Sequence, residues 1–229
     1  MGNGLPGKIV FATGNKGKLR EVEMILKDLG QQIVSMKEAG VETEIVEDGK
    51  TFEENALIKA RAVHALCGGL VLADDSGLEI DYLNREPGVY SARYLGEDTP
   101  YEIKNGIILQ KMADVGREAR SARFVCVIGA VLPDGRELAA GASVEGSIAR
   151  EAAGEGGFGY DPIFFVEEFG KTMAQLTPEE KNRISHRGKA LREMKELLKK
   201  EAQAVSARHK APESPEMKPG SHNYEVNDR

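Results

Sequence analysis

Two long β-rich runs joined by a tight turn are the feature that most constrains this fold. The run RFVCVIGAVL covers residues 123–132 and the run RELAAGASV covers residues 136–144, with Pro133-Asp134-Gly135 between them. Such runs on both sides of a turn triplet predict an antiparallel hairpin of long strands. Any fold for this chain must therefore contain a sheet in which these two strands are neighbours.

The beginning of the chain predicts a strand, a loop and an amphipathic helix. Residues 8–13, KIVFAT, are β-rich and lead into Gly14-Asn15, two turn-forming residues. From Lys18 onward apolar residues recur at helical spacing until Gly30, which is typical of the end of a helix.

A second helix and a second strand follow. Thr51 and Glu54 have the spacing of a capping box and open a helical pattern that ends near Gly68. Residues 70–73, LVLA, predict a buried strand, and we expect Asp74-Asp75-Ser76-Gly77 to interrupt it as a loop at its carboxyl end. The alternation of strands and helices, joined by the antiparallel hairpin, indicates an α/β chain.

The second half of the chain predicts two further helices and a glycine-rich loop. We expect a helix over residues 101–115, with Ile103, Ile107, Met112 and Val115 on its apolar stripe, and a last helix from Arg187 to Lys200. Residues 154–162, GEGGFGYDP, contain too many glycines for a regular element and predict a loop. Composition changes after Ala204, so we assign residues 1–203 to one domain and 204–229 to a disordered tail.

Composition and charge exclude several classes of function. The chain of 229 residues is 41% hydrophobic with a net charge of −6, which fits a globular domain and disfavours a nucleic-acid partner. The first residues show neither a basic leader nor an apolar run long enough for a membrane span, so no membrane partner is expected. Cys67 and Cys126 stand 59 residues apart and suit reduced core thiols, which favours a cytoplasmic location.

The first loop has the character of an anion site. The segment Thr13-Gly14-Asn15-Lys16-Gly17-Lys18 places two glycines and two lysines at a helix N-terminus, where free amides and the helix dipole favour phosphate. Its spacing is not that of the GxxxxGK[ST] phosphate loop. A plain glycine-rich turn is the alternative interpretation.

Acidic residues supply the second half of a phosphoryl-transfer site. Asp74 and Asp75 alternate sides if extended, so we expect one of them to face a cleft. Alone they indicate turn chemistry, but carboxylates beside an anion loop suit Mg²⁺, which takes oxygen ligands and bridges to phosphate. Glu44, Glu47 and Asp48 add further acid before the second helix, and Lys59 lies inside it; a solvated acidic turn with a surface lysine is the alternative.

Two segments near the C-terminus are candidates for contact with a nucleoside base. Phe158-Gly159-Tyr160-Asp161 offers aromatic faces and an edge-reading carboxylate, although core packing of Phe158 is equally in keeping with the pattern. Ser185-His186-Arg187 precedes the last helix, where Ser185 suits a helix cap and His186 and Arg187 suit recognition of a purine edge.

Six blocks in order resemble the inosine/xanthosine triphosphate pyrophosphatase family, and the resemblance covers about residues 8–198. The blocks are TGNKGK (13–18), TFEENALIKA (51–60), ADDSGLEID (73–81), PGVYSARY (87–94), GGFGYDPIF (156–164) and EEKNRISHRGKA (179–190). The resemblance implies a mixed α/β fold with a long central sheet, two lobes around a nucleotide cleft, and a homodimer. It further implies Mg²⁺-dependent hydrolysis of ITP, dITP and XTP to the monophosphate and pyrophosphate.

The resemblance also implies roles for individual residues. Asp75 would be the general base or a metal-linked carboxylate, and Glu47 a metal ligand, with Glu44 and Asp48 as alternatives for that ligand. Thr13 to Lys18 and Lys59 would hold the triphosphate. The nucleoside pocket would be lined by Ser76, Phe158, Gly159, Tyr160, Asp161, Lys181, His186 and Arg187.

One position departs from the family pattern. Where the family block reads Leu-x-Gly-x-Pro-Gly, this chain has Leu83-Asn84-Arg85-Glu86-Pro87-Gly88, with Arg85 in place of the glycine. We therefore expect the local turn at the rim of the cleft to differ.

Overall fold

A computed structural model describes residues 7–210. Its strands are β1 (Lys8–Phe11), β2 (Gln32–Ser35), β3 (Leu70–Ile80), β4 (Glu86–Pro87), β5 (Ser121–Val131), β6 (Glu137–Ile148), β7 (Phe164–Val166) and β8 (Lys171–Thr172). Its α-helices are α1 (Lys16–Leu26), α2 (Phe52–Cys67), α3 (Tyr101–Lys111), α4 (Pro178–Ile184) and α5 (His186–Lys210). No helix among residues 7–210 is both long enough and apolar enough to cross a bilayer.

The strands form one mixed sheet, which confirms the predicted fold class. The order is β2-β1-β3-β5-β6-β7-β8, and β4 pairs with β3. Strands β2, β1 and β3 are parallel, whereas β3, β5, β6, β7 and β8 pair antiparallel. The predicted hairpin is therefore β5–β6, and it runs the length of the molecule beside β3.

One edge of β3 is left open in its middle. The short strand β1 covers only Leu70 to Leu72, and β4 covers only Glu79 and Ile80 on the same edge. No strand of the described chain pairs with the residues between them on that side. The open stretch separates the sheet into two lobes and creates a cleft at its centre.

The expectation that residues 74–77 form a loop is wrong. They continue β3, and Asp74 and Asp75 pair with Ile128 and Val127 of β5. The long partner strand supplies backbone hydrogen bonds that a local reading of Asp-Asp-Ser-Gly cannot anticipate. Because neighbouring residues of a strand point to opposite faces, the two carboxylates reach different helices.

Helices cover both faces of the sheet at the first lobe. The buried side chains of α1 and α5 pack with Leu72 and Ile128 on one face, while α2 packs against Val71 and Ala73 on the other. The predicted capping box is present, since the Glu54 amide donates to Thr51 Oγ1 and the Thr51 amide donates to Glu54 Oε2. A separate apolar cluster beyond the cleft forms the core of the second lobe.

The predicted stripe of α3 is only partly correct. Met112 and Val115 are buried, but Ile103 is 52% exposed, and the helix buries Lys104, Asn105 and Ile108 instead. The helix ends at Lys111, earlier than predicted. Lys104 and Asn105 lie on its inner face because their side chains donate to the Ala92 and Gly159 carbonyls.

The C-terminal helix is longer than predicted. It runs from His186 to Lys210, so residues 204–210 of the predicted tail are helical, and residues 211–229 lie outside the described part of the chain. Both cysteines are free thiols. Cys126 is buried, and burial raises the pKa of its thiol to about 12, whereas Cys67 is exposed rather than in the core.

Arg85 adopts a left-handed backbone conformation with φ of 66°. A residue with a side chain is disfavoured there by about 1–2 kcal/mol, and glycine loses part of that advantage through its freer unfolded chain. We therefore expect Arg85→Gly to raise the free energy of unfolding by about 1 kcal/mol, measured by urea denaturation.

The neighbouring Asn84 provides the control, because it has φ of 53° and asparagine tolerates this region. Asn84→Gly should have a smaller effect. A destabilised Arg85→Gly protein would mean that the ion pair of Arg85 with Glu79, 3.9 Å apart, contributes more than the backbone does.

Candidate active site

The open stretch of β3 leads into a cleft of ≈ 1070 Å³ between the two lobes. Ala12 and Thr13 border it from the end of β1, and Ser91 and Ala92 border it from the segment after β4. The lining includes every predicted substrate-binding residue except Gly17, and it also includes Glu47. The structure therefore gathers the predicted substrate-binding residues around one cavity, and Asp75 lies behind its lining.

The loop before α1 is built for anions, with fewer free amides than predicted. Asn15 caps the helix, and its Oδ1 accepts from the amides of Gly17 (2.8 Å) and Lys18 (3.2 Å). Among the described residues, the amides of Gly14 and Lys16 have no acceptor. These two amides and the exposed Lys16 side chain are the groups of this loop that are available to phosphate.

Asp74 is the centre of a buried ion cluster. Its Oδ2 lies 3.0 Å from Lys18 Nζ, and it accepts from Arg187 Nε (3.1 Å) and Arg187 Nη2 (3.0 Å). Burial acts to raise the pKa of Asp74, but Lys18, Arg187 and Lys59 outweigh it and lower that pKa well below its usual range. Asp74 therefore stays ionised and holds Lys18 of the anion loop in place. We expected from the sequence that one of the two aspartates faces a cleft, and Asp74 is the one that lines the cavity.

Asp75 points to the other face, toward α2. Lys59 Nζ lies 3.1 Å from Asp75 Oδ1 and 2.8 Å from Glu47 Oε2, so one ammonium bridges the two carboxylates. Asp75 is only 7% exposed and contacts the cleft through Lys59 rather than lining it. Glu44 and Asp48 are exposed and make no ion pair in the described chain. Lys59 is thus a buried cation and not a surface lysine.

Burial and neighbouring charges together set the pKa values of Asp75 and Lys59. Burial is the largest influence and raises the pKa of Asp75, with Lys59 opposing and Glu47 reinforcing the shift. Burial would lower the pKa of Lys59, but Asp75, Asp74 and Glu47 raise it above its usual value. A carboxylate with a raised pKa beside a fixed cation is the arrangement expected of a general base.

Phe158 lines the cleft beside the anion loop, beneath two cations. Lys181 Nζ lies 4.5 Å and the Arg187 guanidinium 5.5 Å from its ring centroid. A Cβ on Gly17 would lie 3.0 Å from Phe158 Cδ1, so the anion loop packs directly on this ring. Phe158 is half-buried in the cleft rather than part of a core cluster.

The remaining residues of the glycine-rich loop are held by other contacts. Asp161 Oδ2 accepts from the Phe158 amide (2.8 Å) and from Lys181 Nζ (2.8 Å). Tyr160 donates its hydroxyl to Ser91 O, and the Gly159 carbonyl accepts from Asn105 Nδ2. Asp161 therefore orients Phe158 and Lys181, and its direct contact with a base stays a prediction.

His186 is a neutral, incompletely bonded group in the cleft wall. It stacks on Phe124 with ring centroids 4.9 Å apart, and its Nδ1 has no hydrogen-bond partner in the described residues. Burial first, and then Arg187 and Lys181, lower its pKa well below the usual value. A neutral imidazole has one donor and one acceptor, so it can read a polar edge of a ligand. Ser185 caps α5 by accepting from the Gly188 amide, as predicted.

Two polar residues of the site were missed from the sequence. Glu21 Oε1 and Oε2 pair with Lys181 (3.0 Å) and Arg187 (2.6 Å), which ties both cations over Phe158 to α1. Asn55 is fully buried and donates to Asp75 Oδ2. Helical spacing is the signal that was available, since Glu21 follows Lys18 by three residues and Asn55 precedes Lys59 by four.

Comparison with known proteins gives a consistent result. The Ham1 family profile matches residues 9–197. A dITP/XTP pyrophosphatase of Desulforamulus reducens is 51% identical over 191 residues, which cover 83% of this chain and 95% of that protein. A dITP/XTP pyrophosphatase of Clostridium perfringens is 46% identical over 198 residues, covering 84% and 97%. The structure of the Staphylococcus aureus Ham1 protein superposes with a TM-score of 0.76 at 42% identity, covering 85% and 99%.

Proposed function

The chain belongs to the Ham1 family, and from that premise and the cleft geometry we propose that it hydrolyses purine nucleoside triphosphates with the wrong base. The substrates are ITP, dITP and XTP, and the products are the monophosphate and pyrophosphate. Clearing these nucleotides from the pool is the corresponding cellular role. The relatives named dITP/XTP pyrophosphatase support this assignment of substrate class.

The observation that carries the proposal is the meeting of two segments 56 residues or more apart. Lys18 of the anion loop lies 3.0 Å from Asp74, and the neighbouring Asp75 lies 3.1 Å from Lys59. Cations for a triphosphate and carboxylates for a metal and a base thus adjoin at the cleft. Phe158 and His186 line the same cavity and are the candidates for contact with a purine.

We assign Asp75 to the proton transfer. A water attacks the α-phosphorus, its oxygen forms the new P–O bond, the bond to the bridging oxygen of pyrophosphate breaks, and the water proton passes to Asp75. Lys16, Lys18 and Lys59 hold the phosphate oxygens. Lys59 and Asn55 bond both Asp75 oxygens from α2, so the base is held in one orientation.

The carboxylates fit a magnesium ion. Glu47 Oε2 and Asp75 Oδ1 lie 2.8 and 3.1 Å from the same atom, Lys59 Nζ, so the two carboxylates are close enough together to share one Mg²⁺ beside that ammonium. No group of three or more metal-binding side chains occurs in residues 7–210, and Mg²⁺ is usually bound by one or two carboxylates with phosphates and waters. Bound there, the ion would neutralise charge on the pyrophosphate leaving group.

We assign selectivity among purine bases to the residues that would contact the base. A 6-oxo purine presents an acceptor at position 6, which suits donors from His186, Arg187 or nearby backbone, whereas adenine presents a 6-amino donor. An unpaired buried donor costs about 1–3 kcal/mol, so a few mismatches yield discrimination on the order of hundreds-fold. The position of His186 and Arg187 in the lining of the cleft supports this role.

Assembly and location complete the proposal. A homodimer is supported by five exposed large apolar residues on the second lobe, and light scattering tests it. They are Tyr82, Tyr90, Leu95, Tyr101 and Ile103. A cytoplasmic location is supported by the two free thiols.

The substrate panel is the direct test of the function. We expect rapid release of pyrophosphate from ITP, dITP and XTP with Mg²⁺, and release from ATP, GTP, dTTP and UTP at least about 100-fold lower in kcat/KM. Preference for dTTP or UTP would contradict the purine assignment. Tight binding of ITP without pyrophosphate would instead indicate a nucleotide sensor.

A further inference from the structure

A single buried amide connects the two carboxylates of the site. Asn55 is 0% exposed, its Nδ2 donates to Asp75 Oδ2 (3.2 Å), and its Oδ1 accepts from the Gly49 amide (2.9 Å). The partners fix the orientation of the amide, because a carboxylate accepts and a backbone N–H donates. Both ends of the side chain are therefore used, one toward β3 and one toward the loop that carries Glu47.

The bond to Asp75 completes a two-point hold. Asn55 and Lys59 are four residues apart on α2 and lie on the same face. Lys59 contacts Asp75 Oδ1 and Asn55 contacts Oδ2, so the plane of the carboxylate is defined by two donors from one rigid helix. With Lys59 alone, rotation about the terminal bond of Asp75 would be unrestrained.

The bond to Gly49 seats the acidic loop on the same helix. A Cβ on Gly49 would lie 2.6 Å from Asn55 Oδ1 and 2.8 Å from Glu54 Cβ, so the contact requires glycine. Glu47 is two residues earlier, and its carbonyl accepts from Arg93 Nη2 (3.1 Å). The position of Glu47 relative to Asp75 thus depends on this docking.

We propose that Asn55 is a positioning residue that sets the orientation of Asp75 and its separation from Glu47, and so prepares both carboxylates for metal and water. The proposal rests on the assigned pyrophosphatase reaction. Side chains that orient metal ligands typically change metal affinity or activity about 10- to 100-fold when removed.

Two substitutions separate the two bonds. Asn55→Asp keeps an acceptor for the Gly49 amide but replaces the neutral amide donor with a second carboxyl group that shares a proton with Asp75 or repels it, so we expect kcat for ITP to fall at least about 10-fold with KM changed less than about 3-fold. Hydrogen exchange at the Gly49 amide should stay slow. Asn55→Leu loses both bonds, so kcat should fall as far, Gly49 exchange should accelerate, and Mn²⁺ should bind the nucleotide-free protein about 10-fold more weakly by electron paramagnetic resonance.

Thr51→Ala is the matched control, because it removes the cap of the same helix without touching Asp75 or Gly49. It should lose about 1 kcal/mol of stability and keep kcat and Mn²⁺ affinity. Wild-type kcat in Asn55→Asp overturns the proposal, as does an equal loss of kcat in Thr51→Ala. If the wild-type protein releases no pyrophosphate, the assigned reaction fails, but Mn²⁺ affinity and Gly49 exchange still decide the role of Asn55.

Discussion

Turnover of ITP by the Asp75→Asn protein is expected to fall at least ~100-fold, while binding of the substrate is largely kept. The substitution keeps the shape of the side chain but removes the group that accepts the proton of the attacking water. The cations that hold the triphosphate keep other partners, since Lys18 stays paired with Asp74 and Lys59 with Glu47. Steady-state pyrophosphate release and equilibrium binding of a non-hydrolysable ITP analogue measure the two effects.

Asp114→Asn serves as the control for this experiment, since Asp114 is exposed and has no ion pair in the described chain. It should retain wild-type kcat. An unimpaired Asp75→Asn enzyme would remove Asp75 from the mechanism. Loss of analogue binding to the same extent as turnover would assign Asp75 to substrate or metal binding alone.

The Asp74→Asn protein is expected to lose about 3–5 kcal/mol of stability, the cost of breaking a buried ion pair from one side. Asp74 and Arg187 have side chains that are 1% and 2% exposed, so the guanidinium would lose a charged partner where water cannot replace it. For a domain of this size the melting temperature should fall by roughly 10 °C. Urea denaturation and thermal melting measure the loss.

The difference from wild type should also depend on pH in a defined direction. The pKa of Asp74 is lowered in the folded protein, so its stabilisation is present above the unfolded value of about 3.9 and is lost as pH falls toward the folded value. The gap between the two proteins should therefore be constant from pH 5 to 7, as approximate limits, and narrow below about pH 4.

A surface ion pair supplies the comparison. Asp134 pairs with Arg136 at 2.8 Å, but both side chains are about half exposed, so Asp134→Asn should cost far less stability than Asp74→Asn. If Asp74→Asn costs no more than Asp134→Asn, the cluster around Asp74 is not a major source of stability.

Much of the candidate site was predictable because its parts have local signatures. The anion loop depends on neighbouring glycines and lysines, and the six sequence blocks proposed Asp75, Lys59 and the residues for the nucleoside together. What could not be predicted is how they pair. Glu21 and Arg187 are 166 residues apart, and their contact exists only because α1 and α5 pack on the same face of the sheet.

Two segments were predicted wrongly because distant contacts, and not local patterns, decide their structure. Asp74 to Gly77 have the composition of a turn, but pairing with β5 makes them a strand. Similarly, Ile103 fits an apolar stripe, yet α3 turns Lys104 and Asn105 inward, where they bond the Ala92 and Gly159 carbonyls. In both cases a distant backbone group outweighed the local preference.

The amino-acid sequence by itself determined the capping box of α2, the turn of the β5–β6 hairpin and the residue types available for phosphate and metal chemistry. These depend on interactions within a few residues, which any local window contains. Only the tertiary structure decided which carboxylate pairs with Lys18 and which with Lys59. That choice follows from the alternation of side chains along β3, which points Asp74 toward α1 and α5 and Asp75 toward α2. The two faces of the strand differ because different helices pack against them.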